Sequence, residues 1–254
     1  MAIAIGPETL ATAPPPVLGL GAALERAMAR CFVAFQPIVS YRDRAVFGWE
    51  ALLRTRAGRL AEASELLGAA ESFGRLGALG RAVRAGAAAT AALAPPGTAL
   101  FVNVHPRDLL DPDLFLAEAP LSRVARRVVL EVTEQAAASG IPELQERLRQ
   151  LRRLGFRLAV DDVGAGHSNL SLLAEVRPEF LKVDMSLVRD LDRDRGRRAV
   201  VRHLLRLAED LGATAVAEGV ETAGERDALE DLGGPLLQGF LFGRPSDRPA
   251  PPRW

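Results

Sequence analysis

The chain of 254 residues is long enough for one large core or two small ones, and a single eight-unit α/β barrel falls near this size. Its formal net charge of zero argues against a general surface for a nucleic-acid polymer or an anionic membrane, both of which need a clustered cationic excess. A hydrophobic fraction of 48% with 25% charged residues is ordinary for a globular protein.

Residues 1–17 lack a basic leading segment, carry Glu8 and contain the triple proline Pro14 to Pro16. They read as a flexible leader rather than a signal peptide or membrane span. No later apolar run approaches about 18 uninterrupted residues. Cys31 is the lone cysteine and cannot form an internal disulfide, which fits a reducing compartment and an expected cytoplasmic location. The segments "CFVAFQPIVS" and "AVFGWEALLR" flank the polar turn "YRDR" and predict an antiparallel hairpin. Ala/Leu/Arg-rich helical stretches follow, the longest from Ala61 to Leu93. Six further strand candidates are "ALFVNV", "RRVVLEVTE", "FRLAVDD", "FLKVD", "ATAVAEG" and "PLLQGF". Most are separated by helical segments such as "PELQERLRQLRRLG" and "RRAVVRHLLRLAEDLG", with leucines three or four apart.

Strand and helix alternating this often imply a mainly parallel sheet, because parallel neighbours need crossover connections. Eight strand candidates favour closure. The expected fold is therefore α/β, a modified (β/α)8 TIM-like barrel with an antiparallel first strand over residues 18–247, followed by a tail at 248–254.

Polar residues recur at the ends of these apolar runs: Glu50, Asn103, Glu131, Glu134, Asp161, Asp162, Lys182, Asp184, Glu218 and Gln238. A carboxylate at one strand end is usually a turn or cap residue, but seven strand ends bearing polar groups suggest a shared mouth. Removing clustered carboxylates from water costs several kcal/mol for each uncompensated ion, so a cation must occupy that mouth. Lys182 is the single lysine against 31 arginines, and one ammonium is too little for Glu50, Glu131, Asp161, Asp162 and Glu218. Two divalent cations plus Lys182 would balance those five. All-oxygen ligands suit magnesium or manganese, and the Asp161–Asp162 pair suits a two-metal site with ions about 4 Å apart. Strand alternation puts Lys182 and Asp184 on one face, so a structural Lys182–Asp184 pair is the bland alternative.

With "EALLR" at 50–54, "EVTE" at 131–134, "DDVGAGHSNL" at 161–170, "KVD", "EGVET" and "QGFLFGRP", the chain resembles the EAL-domain phosphodiesterases over about Leu18 to Pro245. The resemblance implies hydrolysis of cyclic di-GMP to linear 5′-pGpG with magnesium or manganese. It also implies that Glu50, Asn103, Glu131 and Asp161 bind one metal, while Asp161, Asp162 and Glu218 serve a second. Lys182 would contact the nucleophilic water, Glu134 would steady the loop after the fifth strand, and Gln238 would join the polar network. Gln36 and Arg54 match dinucleotide-holding positions, with Arg54 on a phosphate. Glu221 would support the second metal or the substrate, or cap a helix.

Val163, His167, Met185 and His105 depart from the family's common phenylalanine, tyrosine, arginine and serine. None removes a metal ligand. His203 reads as structural, and His105 as the cap of the next turn. A homodimer, or a separate regulatory protein, is the expected means of control. A non-catalytic cyclic di-GMP receptor acting through a partner is the alternative from another class, and a pure interaction scaffold is a third.

Overall fold

The structure, a computed structural model, describes residues 17–57, 60–133, 140–165 and 171–254. Glu134, His167 and the leader segment 1–16 lie outside the described residues. The helix α1 (Val17–Ala29) precedes β1 (Cys31–Ser40) and β2 (Ala45–Thr55), which form the expected hairpin, with Gln36 opposite Glu50. The helices α2 (Ala63–Ser72) and α3 (Leu76–Thr90) lead to β3 (Ala99–Asn103). Then come β4 (Val128–Val132), α4 (Leu144–Leu154), β5 (Arg157–Val163), α5 (Ser171–Val176) and β6 (Phe180–Val183). A short α6 (Met185–Val188), α7 (Arg195–Asp210), β7 (Thr214–Ala217), α8 (Ala223–Asp231) and β8 (Leu236–Gln238) complete the order.

The strands close in sequence order, β1 through β8. Strand β1 runs antiparallel to both neighbours, β2 and β8, while the remaining pairs are parallel. The barrel and its antiparallel first strand are thus as the sequence pattern implies.

The expected helix from Ala61 to Leu93 is instead two helices and a final 3-10 turn. Gly74 interrupts it in a left-handed conformation (φ 64°), and the Arg75 amide donates back to the Ala70 carbonyl at 2.6 Å. A Cβ at Gly74 would meet nothing within 4 Å, so backbone conformation rather than space selects glycine here.

Seven of the eight strands repeat one inward pattern with a period of two, while β2 has Gly48 in the deep place before Glu50. An apolar residue sits deep in the barrel, and the next inward residue toward the mouth is polar. Phe101 precedes Asn103, Val129 precedes Glu131, Ala159 precedes Asp161, Phe180 precedes Lys182 and Leu236 precedes Gln238. On β1, which runs backward, Gln36 precedes Ile38. The apolar members form a buried plug from Ile38, Ala99, Phe101, Val129, Ala159, Phe180, Val216 and Leu236. Outward residues such as Leu100, Leu130, Leu158, Leu181 and Leu237 pack under the helices. A second small core, from Leu24 to Leu79, joins α1, α2 and α3.

A buried ion network ties α3 to the segment after β3. Arg84 donates to Asp108 at 2.5 Å and to Asp111 at 2.5 Å, and the Asp111 carboxyl lies below its ordinary value, burial being outweighed by its hydrogen bonds and the guanidinium. A Cβ on Gly80 would fall 2.0 Å from Asp108 Oδ1. Gly80→Ala should therefore cost about 3 kcal/mol, the order for breaking a buried ion pair. Urea unfolding of that variant checks it, and a loss below about 1 kcal/mol would mean that Asp108 moves aside freely.

Candidate active site

The polar inward residues of the strands meet at one end of the barrel. Lys182 is fully buried, and its Nζ lies 2.6 Å from Glu131 Oε1, 2.7 Å from Glu218 Oε1, 3.1 Å from Asp161 Oδ1 and 3.8 Å from Glu50 Oε1. Asp184 is not among these partners. Its carboxylate accepts from the Ser186 amide at 3.0 Å and caps α6, which removes the Lys182–Asp184 pair as an account of the lysine.

Side-chain amides hold Glu50 from two sides. Asn103 Nδ2 donates to Glu50 Oε1 at 2.8 Å, and Gln238 Nε2 donates to Glu50 Oε2 at 2.5 Å. Gln238 Nε2 also lies 3.2 Å from Gln36 Oε1, and Gln36 Nε2 donates to the Gly243 carbonyl at 3.1 Å. With its Nδ2 so engaged, Asn103 leaves its carbonyl oxygen for a cation.

Adjacent residues of a regular strand point to opposite faces, so Asp161 and Asp162 could not share a regular strand and a site. The structure solves this with an irregularity. Pairing of β5 with β6 shifts between Val160 and Val163, and Asp162 is left-handed (φ 58°), a conformation that aspartate tolerates better than most side chains. Ligand oxygens of Asp161, Asp162 and Glu218 consequently lie within 4.8 Å of one another.

The electrostatics follow depth. Burial pushes the Glu131 carboxyl well above its ordinary value, and Lys182 only partly opposes it. Burial likewise raises Glu218, against Lys182 and with the help of Asp161 and Glu50. Asp162 is raised by burial and by Asp161. Glu50 ends below its ordinary value because Lys182 and the two amide donors outweigh burial. Burial would lower Lys182, but the surrounding carboxylates hold it well above its ordinary value.

Four carboxylates thus surround one ammonium, and Asp162 stands beside two of them, so all-oxygen donors are grouped at a cleft. This donor set fits hard divalent cations, as a buried excess of negative charge requires. The cleft above it measures about 540 Å³. Gln36, Glu50, Arg54, Asp162, Glu218, Glu221 and Gln238 all line it, so the mouth brings together residues from both ends of the sequence. Glu221 stands at the rim, where Arg189 Nη2 binds its carboxylate at 2.8 Å and holds it below its ordinary value. The α8 cap is Thr222, whose Oγ1 accepts from the Glu225 amide at 3.2 Å, so capping is not the role of Glu221.

His105 does cap the turn after β3, its Nδ1 accepting from the Arg107 amide at 3.1 Å. His203 is exposed on α7 with its ring 2.7 Å from the Ala199 carbonyl, a structural role. Among the cleft residues that carried no individual reading in the sequence are Phe240 and Arg244, whose guanidinium lies 4.1 Å over the Phe240 ring. Their signal was an aromatic and an arginine just beyond the last strand.

The protein is thus an α/β barrel with an acid-lined mouth. The EAL domain family model matches residues 22–245, and the chain belongs to that family. It is similar to a probable cyclic di-GMP phosphodiesterase, PdeA, of Escherichia coli, 33% identical over 156 residues, covering 59% of this chain and 21% of that protein. It is also similar to an Azorhizobium caulinodans protein, 34% identical over 244 residues, covering 87% of this chain and 32% of that one. The chain spans less than a third of the length of either relative. Among solved structures, a calcium and cyclic di-GMP complex of Klebsiella pneumoniae BlrP1 matches with a TM-score of 0.77 at 36% identity, covering 87% of this chain and 57% of that chain. A manganese and cyclic di-GMP complex of BlrP1 matches with a TM-score of 0.76 at 37% identity, covering 85% and 56%. Among the described residues, no helix is long and apolar enough to cross a membrane.

The raised carboxyls make metal binding and stability pH-linked. Glu131 and Glu218 have folded values above their unfolded ones, so the metal-free chain holds more protons folded than unfolded just above the ordinary carboxylate range. Their contribution to stability is full below that range and is lost as pH rises through the folded values. A divalent cation held by these carboxyls would take the place of those protons. Thermal melts across pH should show stabilisation by manganese that grows as pH rises. A gap that stayed constant or shrank would exclude these carboxyls from metal binding.

Proposed function

We propose that this chain hydrolyses cyclic di-GMP to linear 5′-pGpG, as a metal-dependent phosphodiesterase. The observation that carries the reading is the ring of four carboxylates around Lys182, with Asp162 grouped beside Asp161 and Glu218, at an open cleft, in a family whose solved members include cyclic di-GMP complexes. Two divalent cations, magnesium or manganese, would supply charge neutralisation and Lewis acidity when bound. Glu50, Asn103, Glu131 and Asp161 would hold one, and Asp161, Asp162 and Glu218 the other.

The chain's own groups then have distinct tasks. Lys182 offers a compact donor between Glu131, Asp161 and Glu218, suited to orienting one attacking water. The water oxygen attacks phosphorus in line, the bond from phosphorus to the 3′ oxygen breaks, and that oxygen takes a proton. Opening one of the two diesters leaves a 5′ phosphate on a linear product. Gln238 and Asn103 fix the rotamer of Glu50 by hydrogen bonds, and Gln36 extends that network to the Gly243 backbone. Arg54, on the same cleft, has the planar fork that suits a phosphate. Every ligand-type position is filled, which favours turnover over a receptor that binds without hydrolysis.

Arginine and lysine carry the same charge but differ in shape, and the space around Nζ is fully enclosed. Lys182→Arg should keep the fold and lower turnover at least about 100-fold, the scale for losing a positioned proton-handling group. Chromatography of 5′-pGpG with manganese present, beside Glu50→Ala as the inactive control, measures this. Near wild-type product formation by Lys182→Arg would remove the lysine from the reaction, and no product from the parent chain would sink the activity itself.

A further inference from the structure

The opposite end of the barrel holds a second polar cleft, of about 440 Å³. It is built where strands begin rather than end. Phe47 and Ala99, at the starts of β2 and β3, contribute to its apolar part, and Arg126, Arg127 and Arg157 are the cations that line it. The plug of Phe101, Val129, Phe180 and their neighbours separates this cleft from the acidic mouth.

The three guanidiniums differ in what they already hold. Arg127 has a structural task, donating through Nη2 to the carbonyls of Ala94 at 3.1 Å and Pro95 at 3.0 Å. Its Nε lies 3.4 Å from the Thr98 carbonyl. Arg126, which is exposed, has no hydrogen bond, ion pair or ring contact among the described residues. Arg157 lies 5.3 Å over the Phe180 ring, while its buried Nε has no hydrogen-bond partner. Burial pulls the Arg157 guanidinium below its ordinary value.

Nearby carboxylates do not supply the missing partners. Asp43, the one acid lining the cleft, accepts from Ser40 Oγ at 2.6 Å. Glu179, which attracts Arg157 electrostatically, is taken by Arg152 Nε at 2.8 Å and by the Leu158 amide at 2.7 Å. Three cations against the single carboxylate of Asp43 leave the cleft with an excess of positive charge that a bound anion would offset. Guanidinium forks match phosphate oxygens, and an aromatic floor suits a flat ring.

We infer that this basal cleft binds a small phosphate monoester with a flat apolar body, held by Arg126 and Arg157 and resting on Phe47. The site is independent of the hydrolytic reading above, since it shares no residue with the mouth.

Adenosine monophosphate serves as the probe, titrated calorimetrically into the full chain in the presence of a chelator. Without metal the acidic mouth repels an anion, so binding there is suppressed. Saturable binding of the monophosphate is expected, with adenosine binding at least about tenfold more weakly because the phosphate contacts are lost. Arg126→Gln, at an exposed position without partners, should fold normally and weaken the monophosphate about tenfold, and Arg157→Gln should do the same. Arg54→Gln, at the mouth, should leave the affinity unchanged. Absence of saturable binding to the parent chain, undiminished affinity in Arg126→Gln, or a loss confined to Arg54→Gln would each overturn the site.

Discussion

The ammonium of Lys182, enclosed by Glu131, Glu218, Asp161 and Glu50, sets the terms for the rest of the molecule. Burying any one of those ions alone would cost several kcal/mol, and a lone lysine among them would be displaced toward its neutral form. Together they reverse that tendency for the lysine and overshoot for the acids. Lys182 stays charged, while Glu131 and Glu218 are left with more negative neighbours than one cation can satisfy. The excess is an electrostatic demand for further positive charge, placed where the cleft opens. Lys182 therefore holds the acid ring together and leaves it incomplete.

Directing so many acids at one point requires departures from regular strand geometry, and these are local. Seven parallel strands bring their final inward residues to the same end of the barrel without special provision. Only the adjacent pair on β5 needs one. The shifted pairing with β6 and the left-handed Asp162 bring neighbouring carboxylates to one side. Gly219 provides clearance beside them, because a Cβ there would come 2.4 Å from Cβ of Met185. The arginine-to-methionine departure at that position thus lies on the rim of the cleft, in contact with the turn that follows Glu218.

Alternation along the strands was legible in the sequence because period two is intrinsic to the extended chain and survives any tertiary context. Glu50, Glu131, Lys182 and Gln238 could be placed from it together with the direction of each strand. The break at Gly74 was not, since an alanine- and leucine-rich run has helical propensity on both sides of a single left-handed residue. Glu221 shows another limit. Its position after Glu218 is compatible with capping, ligation or pairing, and the choice is made by Arg189, remote in sequence and brought near by α6. Half-buried Cys31, with Sγ 3.2 Å from the Ala27 carbonyl, is edge packing of the small helical core rather than the interior of the barrel. Its surroundings come from α1 and β2, which no local pattern around residue 31 specifies.

A formal net charge of zero conceals how unevenly charge is distributed along the barrel axis. The mouth concentrates carboxylates and the base concentrates arginines, with aromatic rings of Phe47, Phe101 and Phe180 stacked edge to face between them. Water is excluded from that plug, so charges at the two ends are not screened there as they would be in bulk solvent. An anion approaching the metal-free chain meets repulsion at the mouth and attraction at the base. Divalent cations reverse the first without altering the second. Sequence composition gives the sum of these charges, whereas recognition depends on their separation, and the separation follows from which end of each strand carries which residue.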